Sequence, residues 1–274
     1  LTDKGEPFYP RDYQKEGAYR ALKNKFCCQE LATSAGKTAL FYTFCSYLNN
    51  KNIINSETKA LLIVPNISLV NQTAKAFNQY NNGMVKWNIH KIGGSDNDFN
   101  LEEFNKCNLL ITTYQSLINM VPECIDKRLE KLIKKRVKKD DKDKRAEDIT
   151  KLKKKLNDAK ILDLFSKFRV VCVDEAHNFK AKSLTAILEK CVNARYRIGT
   201  TGTLDGTQTH QLVLEGLFGP VYKVTTTKEL IDRSALANLD IKVLLLKYKD
   251  DICKMVAKSK YQEEVDFIVK YEPR

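Results

Sequence analysis

The 274-residue sequence predicts an α/β fold in which helices flank a mainly parallel β-sheet. Short, continuous apolar runs alternate with longer stretches of helical apolar spacing, and this alternation is typical of a sheet buried on both faces. The predicted strands are 26–31, 60–65, 108–113, 170–175 and 196–201. Helical spacing is clearest in segments 38–48 and 68–77.

One basic segment interrupts this alternation. Residues 123–198 contain neither Gly nor Pro, and apolar residues recur there at spacings of three, four and seven. We expect two helices that form an antiparallel hairpin inserted at about 123–162, with its turn at 140–144. Residues 127–160 hold 16 Lys and Arg against 7 Asp and Glu, so this segment carries +9 of the net +13. A solvated charged surface and a nucleic-acid contact both remain open for it.

Composition limits the class of protein. No apolar run approaches the roughly 20 residues that span a bilayer, and the first residues lack a signal peptide's apolar stretch. We therefore expect a soluble cytoplasmic protein with no membrane partner. The eight cysteines include no CxxC pair, which favours a reducing compartment and no structural metal. The sequence begins with Leu1, from which we expect a piece of a larger protein.

A candidate phosphate loop follows the first predicted strand. The segment LATSAGKT (31–38) stands between a strand and a helix, where backbone N–H groups and the helix dipole hold phosphates. Lys37 would neutralise the β and γ phosphates of ATP, and the Thr38 hydroxyl would bind Mg²⁺. Because Leu31 replaces the first Gly of the general pattern, an incidental GKT remains an alternative. The predicted nucleotide-binding residues are Thr33, Ser34, Ala35, Gly36, Lys37 and Thr38.

A pair of acidic residues follows a later strand, in the segment VVCVDEAHNF (170–179). Ligands of open α/β sheets bind at the carboxyl ends of the strands, where Asp174 and Glu175 are expected. Asp174 would hold Mg²⁺, and Glu175 would polarise the attacking water. Capping of the next helix is the alternative. The order of the two motifs, with Lys37 and Asp174 separated by 137 residues, favours ATP hydrolysis.

Together these motifs resemble the DEAH-box-type helicases of superfamily 2, which have RecA-like motor domains. In PRDYQKEGA (10–18) the resemblance implies that Gln14 recognises adenine and that Arg11 or Tyr13 flanks it. VPNISLVNQ, KIGG and ITTYQSL resemble segments on the nucleic-acid track, although a simple turn is the better explanation of Pro65, Gly93 and Gly94 when each is taken alone. The implied nucleic-acid contacts are Pro65, Asn66, Gly93, Gly94, Thr112, Thr113, Tyr114 and Gln115.

The resemblance also implies a relay between the ATP site and the track. His177 would link that site to Thr201, Gly202 and Thr203, where Gly202 replaces the alanine usual in the family. A surface histidine, and threonines that simply end a strand, are the alternatives. HKIGG, LFGPVYKVTTTKEL and YQEEV resemble segments of phage recombination helicases, and the last two of them lie outside the shared motifs.

The implied function is an ATP-dependent DNA helicase or translocase that remodels forks and junctions. The alternatives are a restriction-system motor, an RNA-directed helicase and a nucleotide-regulated scaffold. We expect one RecA-like domain at 1–238, followed at 239–274 by a linker and the start of a second motor domain, with a strand at 239–248 and then a helix. No arginine-finger segment follows Thr203, so a second RecA-like domain is expected beyond Arg274.

Overall fold

The computed structural model describes most of the chain and divides it into two compact units, residues 1–236 and 237–274. The second unit contains helices α11 (Asp250–Val256) and α12 (Tyr261–Lys270), and α12 lies where the sequence predicts a helix. The strand predicted at 239–248 lies outside the described residues except for Lys242. The described residues are 7–81, 83, 85–93, 99–134, 142–162, 164–178, 181–202, 208–237, 242, 250–257 and 259–270.

The first unit is built on a seven-stranded parallel sheet. Its strands are β1 (Phe26–Leu31), β2 (Lys59–Val64), β3 (Ile89–Ile92), β4 (Leu109–Thr113), β5 (Phe168–Val173), β6 (Tyr196–Thr201) and β7 (Val221–Thr225). Their order across the sheet is β3-β4-β2-β5-β6-β1-β7. The five predicted strands correspond to the five central ones, so the predicted fold class is confirmed.

The two strands that sequence patterning missed form the edges of the sheet. Strand β3 is four residues long and lies partly in the segment interpreted as a glycine turn, KIGG. Strand β7 is mostly half-buried. An edge strand pairs with a neighbouring strand on one side only, and both edge strands here are partly exposed. They therefore lack the continuous apolar run by which buried parallel strands are recognised.

Helices cover both faces of the sheet. One apolar layer joins α1 (Asp12–Asn24), α2 (Lys37–Asn50) and α3 (Ile67–Tyr80) to the sheet through residues such as Phe41 and Phe77. The other contains Phe168 and Phe218 and includes residues of the remaining helices. Those helices are α4 (Leu101–Lys106), α5 (Tyr114–Ile118), α8 (Ala181–Lys190) and α9 (Gln208–Phe218). The short helix α10 (Thr227–Asp232) follows β7.

The inserted segment contains two helices, α6 (Pro122–Lys134) and α7 (Lys142–Leu162), which we call the hairpin. The Arg145 guanidinium donates to the carbonyl oxygens of Leu132, at 3.0 Å, and Ile133. The end of α6 therefore contacts the start of α7. The prediction of a turn at 140–144 is wrong in its second half, because α7 is already helical from Lys142. Among the described helices, none has the length and apolar composition needed to cross a bilayer.

Candidate functional site

The phosphate loop connects β1 to α2, and its shape depends on Gly36. This residue lies in the left-handed region at φ 78°, and it is the N-cap of α2. A Cβ at Gly36 would lie 2.5 Å from Nε2 of Gln14, so no larger residue fits there. Ser34 also has a positive φ, 64°, and is exposed with Thr33 on the surface of the loop.

Three side chains that precede β1 support this loop from behind. The Gln14 amide donates to the Ala35 carbonyl at 2.9 Å, and its oxygen accepts from the Arg11 backbone at 2.9 Å. The Tyr13 hydroxyl donates to the same Ala35 carbonyl at 3.0 Å, and Arg11 Nη1 donates to that hydroxyl at 3.0 Å. Gln14 and Tyr13 are buried, so these contacts position the loop. Adenine recognition by Arg11, Tyr13 and Gln14 stays a prediction.

The start of α2 fits a bound phosphate. Its first N–H groups have no acceptor within the helix, and no side chain caps them. Elsewhere in the described chain, α3, α4, α5 and α10 are capped by side chains, from Asn66, Asn100, Thr113 and Thr226 respectively. Lys37 is the first residue of α2 and only 8% exposed. An uncapped helix N-terminus beside a buried ammonium group is suited to a nucleotide's phosphates.

The acidic pair follows β5, at the carboxyl edge between β2 and β6. The Asp174 backbone donates to the Ile63 carbonyl at 2.9 Å, which fixes the strand end. Its carboxylate accepts from the Thr200 hydroxyl at 2.9 Å and from the Glu175 backbone at 3.0 Å. Burial raises the pKa of Asp174, against the opposing effects of the Thr200 hydrogen bond and the Lys37 charge. Sequence motifs missed Thr200, because only the order of strands across the sheet shows that the end of β6 lies beside the end of β5.

Glu175 joins three motifs that are distant in sequence. Its backbone lies in the left-handed region at φ 48°, which is unusual for a residue with a side chain. One carboxylate oxygen accepts from Lys37 Nζ, and the other accepts from the Gly202 backbone N–H at 3.3 Å. The structure thus brings the phosphate loop, the acidic pair and the end of β6 together.

The predicted relay residues partly meet at the same place. Nδ1 of His177 lies 2.6 Å from the Thr201 hydroxyl and 3.4 Å from a carboxylate oxygen of Glu175. A Cβ at Gly202 would lie 3.1 Å from Lys37 Nζ and 3.2 Å from the Thr33 hydroxyl, so an alanine would be tightly placed. Thr203 lies outside the described residues.

The predicted nucleic-acid residues that the structure describes lie at or just beyond the ends of neighbouring strands, but several have structural roles. Thr112 and Thr113 are 0% and 3% exposed, so their side chains are not available for direct contact with a partner. Thr113 instead caps α5, as Asn66 caps α3 through its side-chain oxygen. Gly93 is buried, Pro65 and Tyr114 are half-buried, and Gln115 is exposed. Gly94 lies outside the described residues. Direct nucleic-acid contact by the accessible residues stays a prediction.

The proposed magnesium ligands have suitable chemistry. Mg²⁺ in nucleotide sites is bound by one or two protein oxygens together with substrate phosphates, rather than by a complete protein cage. A hydroxyl at Thr38 and a carboxylate at Asp174 meet that requirement. Within the described part of the chain, no group of three or more His, Cys, Asp or Glu side chains could hold a metal ion.

A parallel sheet with a phosphate loop after β1 and an acidic pair after β5 defines a RecA-like P-loop domain. The sequence model of the family described as "Type III restriction enzyme, res subunit" matches residues 7–206. The chain therefore belongs to this family.

Known proteins of similar sequence and structure agree with that assignment. The chain is 25% identical over 262 residues to a protein of Enterobacteria phage T4 named "ATP-dependent DNA helicase uvsW", covering 94% of this chain and 42% of the relative. The chain thus spans less than half of that relative. The resemblance to a phage helicase predicted from the sequence is confirmed.

Solved structures show the same fold. The crystal structure of T4 UvsW superposes with a TM-score of 0.56 at 24% identity, over 97% of this chain and 43% of that one. A hypothetical ATP-dependent RNA helicase from Sulfolobus tokodaii superposes with a TM-score of 0.54 at 15% identity, over 81% and 54% of the two chains. These similarities confirm the RecA-like fold.

Proposed function

We propose that this chain is the ATP-binding motor domain of a nucleic-acid helicase or translocase. Lys37 and the first N–H groups of α2 bind the nucleotide's phosphates, and Thr38 and Asp174 hold Mg²⁺. Bound Mg²⁺ supplies charge neutralisation on the phosphate oxygens. Glu175 orients the attacking water and accepts its proton, and Thr200 keeps the Asp174 carboxylate in place.

The contact between Lys37 and Glu175 carries this proposal. Side chains from motifs 138 residues apart form an ion pair, with Lys37 8% and Glu175 26% exposed. At the carboxyl edge of a parallel sheet, a buried lysine is placed to bind a phosphate, and a carboxylate beside it is placed to orient a water next to that phosphate. Glu175 must leave Lys37 before it can act as a base.

DNA is the proposed track. The T4 relative's name specifies DNA, and polar groups beyond the ends of β2 and β4 suit contacts to a phosphate backbone. We also propose that the complete protein has a second RecA-like domain, which would contribute arginines to the γ phosphate. Fork and junction remodelling is the proposed activity of the complete protein.

Substitutions at the ion pair test the ATPase assignment. In the complete protein, Lys37→Ala and Glu175→Gln should each abolish nucleic-acid-stimulated ATP hydrolysis, because the first removes a phosphate ligand and the second removes the base that activates water. Arg20→Ala is a matched control, since it removes an exposed pair with Glu16 on α1 and should leave turnover unchanged. Duplex DNA, single-stranded DNA and RNA are compared as activators. Undiminished hydrolysis in both site variants would refute the assignment.

The family description favours a second candidate, the motor subunit of a restriction system. This function uses the same ATP site, so the distinction depends on the rest of the protein. ATP-dependent cleavage of duplex DNA by the purified complete protein would support the restriction motor. Unwinding or branch migration without cleavage would support the helicase.

A further inference from the structure

The hairpin is a strongly basic insertion in the first unit. Residues 127–160 carry a net +9, and they contain no aromatic side chain. On α6 the exposed basic residues include Lys127, Arg128 and Lys131, and on α7 they include Lys151, Lys153 and Lys154. Basic side chains without aromatic neighbours can contact phosphates, but they offer no platform on which bases could stack.

The acidic residues of the hairpin do not remove this charge. Glu130 pairs with Lys134 at 3.7 Å and Glu147 pairs with Lys151 at 2.7 Å, each within one helix. Such exposed pairs take up one lysine for each glutamate. The lysine excess of the segment therefore remains available to an external anion.

The hairpin is attached to the domain at defined points. Glu123 at the start of α6 accepts from Lys190 at the end of α8, and that hydrogen bond lowers the pKa of Glu123. Arg128 donates to Asn119 in the connection that precedes α6.

The contact between Glu123 and Lys190 places the start of α6 away from the ATP site. Helix α8 leads from the carboxyl end of β5 back to the start of β6, so Lys190 lies towards the amino edge of the sheet. The Arg169 guanidinium donates to Asn193 O at 3.1 Å, which places the residues after α8 beside the start of β5. The ATP site lies at the opposite, carboxyl edge.

The hairpin's apolar residues are unsuited to a membrane surface. Among its described side chains, Leu129, Leu132, Ile149 and Leu152 are half-buried, and Ile133 is the large apolar residue that is exposed, at 51%. A helix that lies in a bilayer interface needs a continuous exposed apolar face. Because the hairpin is basic and its described residues lack such a face, a polyanion in solution is a more suitable partner for it than a membrane.

We propose that the hairpin is a second nucleic-acid contact, which binds the phosphate backbone of a duplex without reading its sequence. This inference rests on the proposed nucleic-acid function of the chain. Helix α7 has 21 residues and is therefore about 31 Å long. That length approaches the roughly 34 Å of one duplex turn, so basic residues along it can follow several successive phosphates.

A charge-matched pair of triple variants tests the proposal in the complete protein. One variant combines Lys131→Gln, Lys153→Gln and Lys154→Gln in the hairpin, and the control combines Lys23→Gln, Lys106→Gln and Lys228→Gln. All six lysines are exposed and both variants lose three charges. Binding of labelled mixed-sequence duplex DNA is measured over a salt series, with thermal unfolding as the check on folding.

The hairpin variant should bind duplex DNA roughly tenfold to hundredfold more weakly, and its salt dependence should be less steep by about 1 to 3 in log–log slope. The control variant should match the wild type. Equal slopes in all three proteins would overturn the proposal, and so would an equal loss in the control. Loss of binding to phosphatidylserine vesicles with unchanged DNA binding would overturn it in favour of a membrane.

The two proposals fail in different ways. A wild-type protein that binds neither duplex nor single-stranded nucleic acid contradicts the proposed function and this inference together. A wild-type protein whose ATPase is stimulated by DNA, with a hairpin variant of unchanged affinity, contradicts only the inference.

Discussion

Glu175 forms an ion pair with Lys37, so the proposed base and the proposed phosphate ligand neutralise each other in this structure. A bound nucleotide would compete with Glu175 for the lysine, because phosphate oxygens and the carboxylate are both anionic acceptors for one ammonium group. Nucleotide binding would thereby release Glu175 from Lys37.

This competition predicts tighter nucleotide binding in Glu175→Gln. Removing the carboxylate's charge leaves Lys37 without a competing anion, and about 1 kcal/mol corresponds to roughly a fivefold gain in affinity. Titration with a non-hydrolysable ATP analogue measures the effect. Glu16→Gln, which neutralises an exposed glutamate on α1, serves as the control. Equal or weaker binding by Glu175→Gln would show that Glu175 does not compete for Lys37.

A second prediction concerns the hydroxyl that sequence motifs did not reveal. Thr200→Val removes the 2.9 Å hydrogen bond to Asp174 with little change of volume. The pKa of the half-buried Asp174 carboxyl should rise further, since that bond lowers it. ATP turnover should fall about tenfold, in line with 1–3 kcal/mol for a lost bond to a buried charge.

Thr43→Val is the comparison for the Thr200 variant. Thr43 donates to the Ala39 carbonyl at 2.8 Å within α2, away from the acidic pair. This variant should keep the wild-type ATPase rate. Wild-type turnover in Thr200→Val would remove Thr200 from the site.

A third prediction concerns a buried lysine outside the ATP site. Lys59 is 1% exposed, and burial lowers its pKa. Its ammonium group donates to the carbonyl oxygens of Ser56, Asn105 at 3.2 Å and Cys107 at 2.7 Å. Lys59→Met keeps the aliphatic volume but leaves these carbonyls unpaired, which should lower the free energy of unfolding by about 2–4 kcal/mol.

Urea denaturation measures the effect of Lys59→Met on stability. Lys86→Met, at an exposed lysine, should change the free energy of unfolding by less than about 0.5 kcal/mol. If both variants unfold at the same urea concentration, Lys59 does not stabilise the start of β2.

A fourth prediction concerns the cysteines. Burial raises the pKa of Cys28 and Cys191 to about 12 and of Cys107 to about 11, whereas Cys253 is exposed. Alkylation requires the thiolate, so the native protein at pH 8 should be modified at Cys253 well before these three. Mass spectrometry after iodoacetamide treatment measures the order. All eight cysteines should react in urea, and rapid native labelling of Cys28 would contradict its burial.

Patterning along the chain was sufficient for the central sheet and the ATP-site motifs. The central strands β1, β2, β4, β5 and β6 were recognisable from short, mostly apolar runs, because helices cover both faces of the sheet. The phosphate loop and the Asp174–Glu175 pair were recognisable because each stands directly after such a run. These features depend on residues close together in sequence, so the sequence by itself determined them.

Only the tertiary structure decided which distant residues meet. Strand order across the sheet places Thr200 beside Asp174, and it joins Glu175 to both Lys37 and Gly202. The tertiary structure also showed that Gln14 holds the phosphate loop and that Thr112 is buried. Such pairings arise from the packing of strands distant along the chain. The spacing of residues along the chain does not indicate how the strands pack. The Asp174–Glu175 motif could therefore be predicted from the sequence, whereas its contact with Thr200 could not.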